Sequence, residues 1–93
     1  MGMRTFTIEA PTSAQSLQSL LSLTDDHKFV ASVRVVAPRD NAAGKNVFVG
    51  DSAAQPVDLS PGDDSDVLPT NDTSLIYIRG EQAGLNATII VGF

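Results

Sequence analysis

The chain of 93 residues contains no cysteine and no tryptophan, one histidine and one tyrosine. Without cysteine there can be neither a disulfide framework nor a thiolate metal site, so a small core must hold by packing alone. Without tryptophan, and with Tyr77 as the sole tyrosine, the aromatic platform on which sugar rings stack is poorly supplied. Basic residues are scarce too: six Lys and Arg against eleven Asp and Glu. They form no stripe of the kind that tracks a phosphate backbone, so nucleic acid is not an expected partner. No apolar run reaches the length of a membrane span, and the N-terminus lacks the charged start and apolar middle of a signal peptide. Neither a membrane nor a cofactor is expected.

What remains is a chain with 42% hydrophobic residues and a net charge of −5. That apolar fraction is enough to fold. The length suits one domain, residues 1–93, near the size at which a partner surface often adds stability. The charge is uneven. Residues 1–50 carry Arg4, Lys28, Arg34, Arg39 and Lys45 against Glu9, Asp25, Asp26 and Asp40, a balance of +1. Residues 51–93 carry Arg79 against Asp51, Asp58, Asp63, Asp64, Asp66, Asp72 and Glu81, a balance of −6.

Periodicity indicates a mostly β chain. Arg4–Glu9 alternates polar and apolar residues, as a half-buried strand does, and Ala10-Pro11 ends it. Leu17, Leu20 and Leu21 then form one apolar stripe, predicting a helix of about three turns capped by Thr12 or Ser13 and stopping near Asp25. From Lys28 the pattern is strand-like, with segments around 29–37, 46–49, 57–59, 66–68, 74–79 and 86–93 separated by turn residues. Pro61-Gly62 suits a type II turn. The expected fold is a small antiparallel β-sandwich or barrel of five to seven short strands, with one short α-helix near the N-terminus lying across an end or an open face.

Few residues could carry chemistry. His27 follows Asp25-Asp26, but no nucleophile elbow accompanies the pair, and a solvated loop residue is the simpler reading. Asp58, Asp63, Asp64, Asp66 and Asp72 crowd one segment without the spacing of a calcium-binding loop. A solvated acidic turn that discourages edge-to-edge strand pairing is the preferred reading, with a structural calcium site the alternative. Gly44-Lys45-Asn46 lacks the residues of a phosphate loop, and the two Asn-x-Thr triplets at 71 and 86 are chance acceptor matches. Phe6, Phe29, Phe48 and Phe93 are expected in the core or at an interface; Tyr77 either faces outward or joins the core with its hydroxyl at the rim. The chain is not expected to be an enzyme.

Several segments together resemble small virion structural proteins of tailed bacteriophages. They are Val33-Arg34-Val35-Val36-Ala37, Asn46-Val47-Phe48-Val49-Gly50-Asp51-Ser52, Val57-Asp58-Leu59-Ser60-Pro61-Gly62-Asp63 and Leu75-Ile76-Tyr77-Ile78-Arg79-Gly80. The likeness covers roughly residues 30 to 93, with Phe48 where tyrosine is usual. It implies a capsid decoration (cement) protein that stabilises the phage head by binding shell subunits, or alternatively a tail, baseplate or fibre component serving structure or receptor and glycan recognition. The expected partners are then the major capsid protein or other virion subunits, in a homo-oligomer or multi-copy assembly, and the expected location is the virion. Arg4, Arg34, Arg39 and Phe93 are the candidate contact residues; ordinary solvated strand-end charges are the equal alternative for the three arginines.

Overall fold

The polar–apolar alternation of the first segment becomes strand β1 (Met3–Glu9), and the same alternation builds most of the later strands. In chain order come β2 (Gln15–Ser16), the helix α1 (Leu17–Leu20), β3 (Ser32–Val36), β4 (Val47–Gly50), β5 (Val57–Leu59), β6 (Asp64–Val67), a 3-10 turn at Thr73–Leu75, β7 (Tyr77–Gly80) and β8 (Asn86–Gly92). The computed structural model describes residues 3–24, 29–68 and 72–92, with backbone only at Asp66 and Val67. Asp25, Asp26, His27, Lys28, Pro69, Asn71 and Phe93 lie outside the described residues.

The strands form two antiparallel sheets of four, ordered β1-β8-β3-β6 and β2-β7-β4-β5. Each of the first four strands pairs with a strand of the second four: β1 with β8, β2 with β7, β3 with β6 and β4 with β5. The chain is thus one long double strand, rolled so that β8 also pairs with β3 and β7 with β4. That is the strand order of an eight-stranded jelly roll. A β-sandwich, mostly β with one short helix, is therefore the architecture. The terminal strand β8 sits inside its sheet between β1 and β3, so its edges are already paired.

The core lies between the sheets and is aliphatic. Val33 and Val35 from β3, Val47 and Val49 from β4, Ile78 from β7, and Ala87, Ile89 and Val91 from β8 are buried. Each such Val or Ile side chain contributes about 1.5–3 kcal/mol by leaving water. No described phenylalanine is fully buried, and one of the three meets the core. Phe6 packs on the edge of the core, Phe48 is half-buried on the outer face of its sheet, and Phe29 is 60% exposed.

The helix departs furthest from expectation. It is one turn, not three, and Ser16 is its cap: the Ser16 Oγ accepts from the Ser19 N–H at 3.2 Å. The cause is a sheet contact. Gln15 and Ser16 pair with Ile78 and Tyr77, and the Leu17 N–H donates to the Ile76 carbonyl at 2.8 Å, holding the chain extended until residue 16. The leucine stripe still does its work, with Leu17 buried and Leu20 and Leu21 against the core. β2 is the eighth strand, one more than the expected upper limit. No helix among the described residues is long and apolar enough to cross a membrane.

Candidate functional site

The register places the connections unequally at the two ends of the sandwich. At one end, residues 10–14, 37–46, 60–63 and 81–85 each carry the chain from one sheet to the other. Three of them are of five residues or fewer, and 37–46 has ten. Gly44, Gly62 and Gly84 take positive φ there, and the Asp63 N–H donates to the Ser60 carbonyl across Pro61-Gly62, as a type II turn requires. We call this the turn end.

At the opposite end, rows Met3–Gly92–Ser32 and Gly50–Tyr77–Ser16 terminate the two sheets. The connections there are residues 21–31, 51–56 and 68–76. Among the described residues, the large exposed apolar side chains are Met3, Phe29, Val57 and Leu75, and every one lies at this open end. Apolar residues scattered singly over a surface are ordinary; four gathered at one end are a feature.

Within the open end, on the side of edge strands β5 and β6, a pocket of about 260 Å³ enters between the sheets. Val49, Val57, Leu68, Leu75 and Ile76 make it apolar, and Gly50, Asp51 and Pro56 complete it. The sequence builds this wall locally. The Asp51 Oδ1 accepts from the N–H groups of Ala53 and Ala54, both at 2.9 Å, and the Asp51 N–H donates to the Ala54 carbonyl. The Gln55 Nε2 donates to the Asp51 carbonyl at 2.7 Å. The connection 51–56 thereby folds back on Gly50 so closely that a Cβ there would overlap the Ala54 carbonyl and stand 2.6 Å from Pro56 Cδ. Only glycine fits. Hydrogen bonds from Ala54, then Ala53, hold the Asp51 carboxyl below its usual carboxylate range, so it is a fixed negative charge on an apolar rim. Opposite, the Leu68 N–H donates to the Val33 carbonyl at 2.9 Å, fixing that side to β3.

The candidate contact residues do not come together. Arg4 is on the edge strand β1 near the open end, its guanidinium 5.5 Å from the Phe6 ring centre. Arg34 is on the outer face of β3, where its Nε meets Asp64 Oδ1 at 3.0 Å. Arg39 is at the turn end beside Gly62. Phe93 is outside the described residues. The acidic residues are mostly engaged locally: Asp64 with Arg34, Asp63 with the Ser60 N–H, and Asp72 with the N–H and hydroxyl of Ser74. Among the described residues no group of three His, Asp or Glu side chains could hold a metal ion. Tyr77 faces outward, half-buried between Gly50 and Ser16 in its sheet, and takes no part in lining the pocket. Beside it, the Arg79 guanidinium lies 4.4 Å from the centre of the Phe48 ring.

The pocket therefore offers apolar surface and one carboxylate, with no nucleophile or second titratable group among the described residues that line it. Its chemistry among the described residues is that of an apolar surface with one charged rim position. Sequence reading missed it because its lining comes from residues 49 to 76, brought together by pairings across the sandwich. Comparison with protein-family models, curated proteins and solved structures finds no match for this chain.

Proposed function

We propose that the chain is a non-enzymatic assembly protein of a tailed-bacteriophage virion, with capsid decoration as its role. The observation that carries this is the division of labour between the ends. The open end leaves Met3, Phe29, Val57 and Leu75 exposed beside a pocket, whereas none of the large exposed apolar side chains among the described residues lies at the turn end. Such a surface gains free energy when a neighbour covers it. The jelly roll is common to capsid and lectin domains alike, so the fold does not choose between assembly and sugar recognition. The pocket favours assembly: its single carboxylate is a meagre complement to a ring of sugar hydroxyls.

Quantitative mass spectrometry of purified particles tests this reading. Copy numbers comparable to the major shell subunit are expected. A few copies per particle would transfer the protein to the tail, baseplate or fibre alternative, and absence from the particle would remove the virion reading.

A further inference from the structure

The pocket has an edge strand along its rim. In the order β2-β7-β4-β5, strand β5 is bonded to β4 on one side and, among the described residues, has no strand beyond it in that sheet. Val57 of β5 stands opposite Val49 of β4, and both line the pocket. Residues opposite each other in a sheet point to the same face. An extended segment added alongside β5 would therefore aim the side chain facing Val57 into the pocket. Main-chain bonds would supply affinity, and the pocket would select that side chain.

Size and charge define the segment. A dry cavity of about 150 Å³ accepts a benzene ring, so about 260 Å³ takes an aromatic side chain or a large aliphatic one. Asp51 lines the pocket, Asp58 lies exposed on β5, and no described lining residue is basic. A second copy of this chain, at net charge −5, is electrostatically disfavoured beside that edge. A cationic segment is favoured.

We infer that the open end is a strand-addition site for a partner protein, which supplies an extended segment with an apolar anchor flanked by lysine or arginine. The anchor enters between Val49, Val57, Leu68, Leu75 and Ile76, and the cationic flank meets Asp51 and Asp58. This deepens the assembly reading by naming the partner's chemistry, and it rests on that reading only for the partner being a virion subunit.

Selection from a random peptide library on the immobilised full-length chain tests the inference. The expected winners carry a large apolar residue beside Lys or Arg, and a synthetic peptide of the winning sequence perturbs the amide resonances of Val57, Asp58, Leu75 and Ile76. Leu75→Asp and Asp51→Lys should each weaken that peptide about tenfold or more, with the rest of the amide spectrum unchanged to show that the fold persists. A winning pattern that is acidic or uncharged, the absence of any pattern, or binding indifferent to both substitutions overturns it. Particle copy number is a separate readout, so a decoration protein that fails this selection loses the pocket and keeps its virion role.

Discussion

Asn41 uses both ends of its side-chain amide on one backbone residue: its Nδ2 donates to the Asn86 carbonyl at 2.9 Å, and its Oδ1 accepts from the Asn86 N–H at 2.8 Å. The amide thus imitates a neighbouring strand and ties the 37–46 connection to the start of β8. Asn41 is only 8% exposed, so water replaces those bonds poorly. Asn41→Ala should lower unfolding free energy by about 2 kcal/mol in urea titration, since two bonds are lost and two backbone groups are left unmet. Asp51 makes a comparable local frame, but a titrating one. Its folded pKa lies below the ordinary value, so the unfolded chain takes up the proton first. The stabilisation it gives is therefore full above the ordinary carboxylate range and is lost as pH falls through the depressed folded value. Asp51→Asn keeps an acceptor and removes the titration. Its denaturation midpoint should fall less steeply with acid than that of the parent chain; identical slopes would show that the Ala53 and Ala54 bonds do not favour the ionised form.

At the scale of elements, α1 shows how a short helix can be set by what lies beside it. Leu21 and the residues after it close the helix: the Ser22 N–H donates to the Ser19 carbonyl at 3.2 Å, and the Leu23 N–H donates to the Gln18 carbonyl at 2.9 Å. This is the Schellman arrangement, in which the first residue past the cap takes left-handed φ and is usually glycine. Here it is Ser22, with φ of 56°. Ser22→Gly should raise stability by about 0.5–1 kcal/mol, the side-chain cost of that conformation less the extra freedom glycine gives the unfolded chain. Thermal unfolding of the two chains checks it. The leucine stripe was legible in sequence because it is local, and so were the alternating strands and the Pro61-Gly62 turn. The extent of α1 was not legible. Its start is decided by β7, some sixty residues further on, which holds Gln15 and Ser16 extended. The pocket was hidden for the same reason, since Val57 and Leu68 become neighbours only when both sheets have formed.

For the molecule as a whole, the docking role proposed for the open end would make stability and docking separable. Leu17 is fully buried, close to where the helix meets the sheets, whereas Leu75 is 57% exposed on the pocket wall. Truncating a buried leucine removes its transfer free energy and leaves a cavity that the neighbours only partly fill, so Leu17→Ala should cost about 2–4 kcal/mol. Truncating Leu75 takes away side chain already largely in water, and Leu75→Ser should change unfolding free energy by no more than about 0.5 kcal/mol. Their effects on assembly should run the other way. Incorporated into particles at a temperature where both variants are folded, Leu17→Ala should reach the parent copy number and Leu75→Ser should fall short of it. A Leu75→Ser chain that is markedly unstable would mean the open end is part of the folding core; one that is stable and fully incorporated would mean the shell contact lies on another surface. Competition between the two chains in one assembly reaction separates these outcomes, because a docking defect shows as preferential loss of the variant while both remain folded in solution.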